Sequence, residues 1–62
     1  MNLALDRGLA LLEHLSRNPD GLPLALMAQD LDIPLSACHR LLGDLQHCGY
    51  VRQKRTPGDY QL

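Results

Sequence analysis

Leucines recur at intervals of three and four residues over the first quarter of the chain. This spacing gives one apolar stripe and predicts a helix over residues 3–17. The next four residues, Asn18-Pro-Asp-Gly21, are strong helix breakers and end it. The predicted core positions of this first helix are Leu5, Leu9, Leu12 and Leu15, with Gly8 and Leu11 beside them.

A second apolar stripe runs from Leu24 to Leu31 and predicts a short second helix. Its predicted core positions are Leu24, Met27, Ala28 and Leu31. The segment before it, Leu22-Pro-Leu24, is predicted to be extended and to form a very short edge strand, because proline restricts the preceding residue. Asp32-Ile-Pro34 then forms a tight turn.

A third helix is predicted over residues 34–48, with Pro34 at its first position, where the missing N–H costs nothing. Gly49 is placed to end it in a left-handed conformation. Its predicted buried face comprises Cys38, Leu41, Leu42, Leu45 and Cys48.

The remaining residues alternate in a way that predicts a hairpin. Residues 50–53 form one strand, residues 54–59 a turn, and residues 60–62 the return strand. The whole chain, residues 1–62, is then one domain, mainly α with a small β-hairpin. Two helices joined by a tight turn, followed by a hairpin, predict a winged helix-turn-helix of three helices plus a wing.

The exposed face of the third helix is the candidate DNA-binding surface, with the helix in the major groove. Arg40 can fork onto the O6 and N7 of guanine, and Gly43 would allow close approach of the backbone. Asp44 would repel phosphate unless it pairs with Arg40 or accepts a hydrogen bond from a cytosine amine. The residues predicted to face outward are Ser36, Ala37, His39, Arg40, Gly43, Asp44 and His47.

The net charge of −1 is unusual for a DNA-binding protein, but the charge is unevenly distributed. Residues 1–32 carry two cations and five acids, whereas residues 33–62 carry four cations and two acids. Phosphate contacts require local positive charge, which the second half supplies. The wing residues predicted to contact the DNA backbone or minor groove are Arg52, Lys54, Arg55 and Thr56.

The sequence gives little support for a metal-binding protein, an enzyme or a membrane protein. Cys38 and Cys48 would lie about 15 Å apart along one helix, so they and the neighbouring His39 and His47 do not suit one metal ion. No catalytic arrangement, cofactor motif or 18-residue apolar run is present, and His14 is predicted to face solvent. The sequence therefore predicts a non-enzymatic, soluble, cytoplasmic protein that requires no cofactor or metal and does not enter a membrane.

These residues resemble the N-terminal DNA-binding domain of IclR-family transcriptional regulators. The most specific stretch is Ser36-Ala-Cys-His-Arg-Leu-Leu42, together with Leu45 and Gly49-Tyr-Val51. The similarity covers nearly the whole chain without gaps. It also includes the segments Leu5-Asp-Arg-Gly-Leu-Ala-Leu-Leu12, Gly21-Leu-Pro-Leu-Ala25, Leu31-Asp-Ile-Pro34 and Gly58-Asp-Tyr-Gln-Leu62.

The resemblance implies a bacterial transcription factor that binds double-stranded DNA as a homodimer or tetramer. It also implies a separate C-terminal domain for a small-molecule effector, which is absent from this sequence. Base recognition is carried over to Ser36, His39 and Arg40. Leu35 and Ala37 stand where the family often has a basic residue and threonine, and Pro23 stands where it has a hydroxyl residue.

A second hypothesis is a winged helix that serves as a protein-interaction module without intrinsic DNA affinity. The low net charge, and the presence of Leu35 and Asp44 on the supposed DNA face, favour this alternative. The salt dependence of binding discriminates the two, because only phosphate contacts weaken steeply with ionic strength.

Overall fold

A computed structural model describes residues 2–55 and 58–62. It contains the helices α1 (Leu3–Ser16), α2 (Leu24–Leu31) and α3 (Leu35–His47). The strands β1 (Arg52–Gln53) and β2 (Tyr60–Gln61) pair antiparallel, with Arg52 opposite Gln61. Three helices followed by a hairpin confirm the predicted winged helix-turn-helix. Within the described ranges, no helix is long and apolar enough to cross a bilayer.

The core lies where the three helices meet and is almost entirely aliphatic. Its fully buried side chains are Leu11, Leu15, Met27, Cys38 and Leu42. Val51 and Tyr60 bring the hairpin against the same cluster. Burial raises the pKa of the Cys38 thiol, because the thiolate would lose its hydration. Cys38 is therefore a core residue, as predicted.

The predicted core face of α1 is partly wrong. Leu5 and Leu9 are 58% and 55% exposed, whereas Gly8 and Leu11 face the core together with Leu15. Leucines occupy positions on several sides of this helix, so the sequence contains two overlapping apolar stripes. Packing against α2 and α3 selects one of them. The predicted core positions of α2 are confirmed, with Met27 and Ala28 buried and the leucines at either end half-buried.

The turn between α2 and α3 is fixed by a Schellman arrangement at the end of α2. Asp32 adopts the left-handed conformation, with φ of 54°. Its N–H donates to the Gln29 carbonyl at 3.3 Å, and the Ile33 N–H donates to the Ala28 carbonyl at 2.9 Å. Ile33 and Ala28 are both buried in the core. An apolar contact between these two positions commonly accompanies a Schellman motif. The tight predicted turn is thus closed by backbone hydrogen bonds and an apolar contact region.

The end of α3 repeats the same arrangement with glycine at the left-handed position, as predicted. Gly49 has φ of 87°, and its N–H donates to the Gln46 carbonyl at 3.0 Å. The Tyr50 N–H donates to the Leu45 carbonyl at 3.0 Å. Cys48 is the cap residue beyond the last helical turn and is exposed. The prediction that Cys48 belongs to the core is therefore wrong.

The connection between α1 and α2 also holds the wing in place. Asn18 to Gly21 form a turn in which the Gly21 N–H donates to the Asn18 carbonyl at 2.9 Å. Leu22 and Tyr60 then exchange two hydrogen bonds of 2.8 Å, so the predicted short edge strand is a single bridge. Gly21 has φ of 98°, and a Cβ there would lie 2.9 Å from the Tyr60 carbonyl oxygen. Glycine is therefore required where this loop meets the wing.

His14 is not a solvent-facing side chain, contrary to the prediction. Its side chain is 20% exposed, and Nε2 lies 3.0 Å from Oδ2 of Asp30. The partner is sixteen residues away, on α2, so helical spacing within α1 could not reveal it. The pair joins α1 to α2 on the periphery of the core.

Candidate nucleic-acid interface

The N-terminus of α3 presents backbone donors without helical partners. Pro34 is the cap residue, not the first helical residue as predicted, and it makes no side-chain capping hydrogen bond. The Cys38 N–H donates to the Pro34 carbonyl at 2.9 Å, which begins the helical ladder. The N–H groups of residues 35–37 precede this ladder. They are suited to an anionic ligand, because the helix dipole favours negative charge at this end.

The outer face of α3 contains nearly all the residues predicted for it. Ser36, Arg40, Gly43 and His47 share one stripe by their helical spacing. Ala37 is the exception, because it is half-buried and packs against the core. The exposed positions are Leu35 at 55%, Ser36, His39, Arg40, Gly43, Asp44 and His47.

Arg40 and Asp44 are four residues apart but do not form an ion pair. The two ion pairs among the described residues are Arg17–Glu13, at 2.6 Å, and His14–Asp30. The order of charge explains the difference, since an acid N-terminal to a base is the favourable i, i+4 arrangement. α1 has that order, whereas α3 has the reverse. The guanidinium of Arg40 is therefore available to a ligand.

Gly43 lies in the middle of α3 without a structural requirement for glycine. A Cβ placed there meets no atom within 4 Å, and its φ is not positive. Glycine in a helix interior costs roughly 1 kcal/mol relative to alanine. Nothing in the packing of the described residues offsets that cost, so the bare backbone at this position is a feature of the exposed surface.

The wing places exposed cations beyond the end of α3. Arg52 lies on β1, and Lys54 and Arg55 follow it in the turn, all three exposed. Gln53 Nε2 donates to the Gly58 carbonyl at 3.0 Å, and the Lys54 N–H donates to the Asp59 carbonyl at 3.3 Å. These two hydrogen bonds stabilise the base of the turn between β1 and β2. Thr56, also predicted as a contact, lies outside the described residues.

Arg7 is half-buried and lies beside a shallow crevice between α1 and the turn that precedes α3. Asp6 and Asp32 also line this crevice. Arg7 belongs to the Leu5–Leu12 segment in which the sequence resembles the family pattern. In the part of the chain that is described, no three potential metal ligands converge.

Comparison with known proteins is consistent with this geometry. The sequence model of the IclR helix-turn-helix domain matches residues 4–55, which include α2, α3, β1 and all of α1 except Leu3. An uncharacterized HTH-type transcriptional regulator of Haemophilus influenzae is 48% identical over 98% of this chain. The DNA-binding transcriptional repressor YiaJ of Escherichia coli is 46% identical over 95%, and the transcriptional repressor IclR of the same species is 42% identical over 95%.

The chain spans between 21% and 23% of the length of these relatives. No solved structure matches it significantly. The matched part is the helix-turn-helix region, so the comparison bears on this fold and its surface.

Proposed function

This chain belongs to the IclR helix-turn-helix family, and from that membership we propose that it binds double-stranded DNA sequence-specifically as part of a transcriptional regulator. The family is one of DNA-binding regulators and not of enzymes. One observation carries the proposal. The cationic side chains of Arg40 on α3 and of Arg52, Lys54 and Arg55 on the wing make no ion pair or side-chain hydrogen bond with the described residues.

In this proposal α3 lies along the major groove, with its outer face from Ser36 to His47 towards the bases. Ser36 and the free N–H groups at the N-terminus of α3 meet a phosphate or a base edge. Leu35 is suited to the methyl group of thymine, because it is apolar and 55% exposed. His39 and Arg40 are one turn further along, where Arg40 can fork onto guanine. Gly43 and His47 continue the same stripe. Ala37, being half-buried, supplies only its backbone.

The wing then contacts the sugar-phosphate backbone or the minor groove through Arg52, Lys54 and Arg55, with Thr56 assigned by sequence alone. The charge distribution supports this orientation, because residues 33–62 are net positive and residues 1–32 net negative. Four cations allow only modest affinity for a single copy. We therefore place two copies, as a homodimer or within a tetramer, on a partly palindromic site.

A protein-interaction module remains the second candidate, and one observation favours it. Leu3, Leu5 and Leu9 of α1 are each more than half exposed, which is unusual for side chains of this size. These leucines lie on α1 and not on the outer face of α3. A protein contact through α1 and a DNA contact through α3 are therefore compatible, and they differ in their response to salt.

The test is an amide NMR titration of the chain with a mixed-sequence DNA duplex at low salt. We expect shifts concentrated in residues 35–47 and 52–55 and reversed by added salt, because phosphate contacts release counterions. A matched protein sample titrated with an uncharged polymer controls for viscosity and crowding. Shifts confined to residues 3–9, or shifts insensitive to salt, would contradict the proposed docking face and support the interaction module.

A further inference from the structure

We propose that Asp44 selects cytosine, by accepting a hydrogen bond from its exocyclic amine at a point where Gly43 lets the helix lie against the base edges. This inference rests on the proposed function, since it assumes that α3 occupies the major groove. It assigns a base to an acidic side chain that otherwise opposes binding.

Asp44 has no partner among the described residues that would neutralise it. It is exposed, and no cation among the described residues lies within 4.0 Å of its carboxylate. Arg40 is the nearest candidate by helical spacing, but the base precedes the acid, which is the less favourable order. A free carboxylate beside the phosphates weakens binding to every sequence alike. Its presence on this face is explained if it gains a hydrogen bond at one particular base pair.

Gly43 provides the close approach that a short side chain needs. Aspartate reaches less far from the helix than arginine, so it meets a base edge only where the backbone comes near. The space around Gly43 is open, and a Cβ there meets no atom of the protein within 4 Å. Its neighbour in sequence is Asp44. Because Gly43 has no side chain, the backbone next to Asp44 can lie closer to the floor of the groove.

Cytosine is the base that satisfies a carboxylate best in the major groove. Its edge presents the N4 amine as a donor and no acceptor. Adenine has an amine beside the N7 acceptor, guanine has two acceptors, and thymine has an acceptor and a methyl group. A carboxylate is repelled by the acceptors of these three bases. Asp44 therefore favours cytosine and disfavours the others.

The position of Arg40 limits where that cytosine lies. Arg40 and Asp44 are one helical turn apart, about 6 Å along the axis of α3. Successive base pairs are about 3.4 Å apart. A guanine contacted by Arg40 and a cytosine contacted by Asp44 are then expected within about two base pairs of each other.

The experiment selects binding sites from a randomised duplex library with the 62-residue chain at low salt, and compares Asp44→Asn with Asp20→Asn. Asp20 is an exposed acid in the turn after α1, so the control removes the same charge away from α3. For Asp44→Asn we expect the preferred base at one position to change from cytosine to adenine, because asparagine pairs with the N6 and N7 of adenine. The change in preference should be about tenfold, which is within the range of one good base contact. Asp44→Ala should lose the preference without acquiring adenine.

Three outcomes overturn the inference. If both asparagine variants raise affinity equally for all sequences, Asp44 contributes only a charge. If Asp44→Asn changes nothing relative to the original chain, the residue lies outside the contact. If the original chain enriches no sequence and binds no duplex, the proposed function fails and the inference fails with it. Thermal unfolding of each variant verifies that the fold is retained, as expected for an exposed side chain without partners.

Discussion

Polar side chains in the last turns of α1 and directly after it bond to other protein groups, whereas among the described residues those on the outer face of α3 do not. Arg17 bonds Glu13 at 2.6 Å, the Ser16 hydroxyl donates to the Glu13 carbonyl at 2.6 Å, and Asn18 donates to the His14 carbonyl. Among the described residues no comparable bond involves the side chains of Ser36, His39 or Arg40. α1 and α3 have similar lengths and pack around the same core, so neither length nor packing accounts for this difference in side-chain bonding. We attribute it to the proposed DNA-binding role of the outer face of α3.

The helix ends show the same contrast. Asn2 caps α1, with its side-chain oxygen accepting from the Leu5 N–H at 3.0 Å. Pro23 and Pro34 precede α2 and α3 and provide no side-chain cap. A capping residue at such a position typically contributes about 1 kcal/mol. α2 and α3 therefore lack the stability that a side-chain cap contributes, and the backbone N–H groups at their N-termini are left free to bind a phosphate.

The largest expected effect is on the free energy of unfolding, and it distinguishes a residue on the buried face of α3 from one on its outer face. Leu42 is fully buried, so Leu42→Ala should lower the free energy of unfolding by about 2–5 kcal/mol, from lost burial and a residual cavity. Such a loss would leave a domain of this size largely unfolded. The matched control Leu35→Ala, on the same helix but exposed, should change stability by less than about 0.5 kcal/mol. Urea denaturation followed by circular dichroism measures both; equal losses would show that Leu35 is also part of the core.

The next effect distinguishes Arg40, on the outer face of α3, from Arg17, the exposed cap residue after α1. Arg40→Ala should weaken binding to a selected site by about 1–3 kcal/mol without changing stability. Arg17→Ala should leave DNA affinity unchanged and lower stability by about 0.2–0.5 kcal/mol, because it breaks the pair with Glu13. Fluorescence anisotropy with labelled duplex and thermal unfolding of the same samples give the two readouts. A loss of DNA affinity of the same size for Arg17→Ala would contradict a docking face confined to α3 and the wing.

A third pair of variants compares two helical glycines. A Cβ at Gly8 or at Gly43 meets no atom within 4 Å, so alanine fits at both positions. Each substitution should raise stability by about 0.5–1 kcal/mol, because alanine restricts the unfolded chain and favours the helix. Only Gly43→Ala should also weaken DNA binding, since the added methyl group holds α3 away from the groove. Unchanged affinity for Gly43→Ala would mean that the glycine has no role in close approach.

The elements could be predicted from sequence because their ends are marked by local chemistry. The Asn18–Gly21 breakers, Pro34 and Gly49 act through backbone conformation within a few residues, and each lies at or next to the end of an element. The exposed stripe of α3 could also be predicted from local sequence. Apolar residues are few on that helix, so only one orientation of the helix buries them together. Short-range rules therefore recovered the fold class and most of the candidate surface.

The errors at Pro34 and Cys48 are shifts of one residue at the ends of α3, whereas those on α1 arose where the outcome depends on contacts between distant segments. Leu5 and Leu9 are as apolar as Leu11 and Leu15, so only the packing of α2 and α3 against α1 decides which pair is buried. The partner of His14 is on another helix. Spacing alone also left the Arg40–Asp44 pair open, because it does not give side-chain orientation. Long-range packing and rotamer choice are thus the information that local patterns lack.

The smallest expected effect concerns Asp32, which lies between α2 and α3 and occupies a left-handed conformation in the turn before α3. This conformation is unfavourable for residues with a Cβ, although aspartate tolerates it better than most. Asp32→Gly should therefore raise the free energy of unfolding by about 0.5 kcal/mol, the relief of strain exceeding the added freedom of the unfolded chain. For a domain of this size that is a rise of about 2–4 °C in Tm.

Asp20→Gly is the matched control for that substitution, because Asp20 is an exposed acid in a turn but does not have positive φ. Here glycine relieves no strain and only adds freedom to the unfolded chain, so stability should fall by about 0.5 kcal/mol. Opposite signs in calorimetry at the same pH and salt would assign the effect to backbone conformation, since both variants lose the same charge. Equal signs would instead make charge the cause, and the turn that positions α3 would then be free of backbone strain.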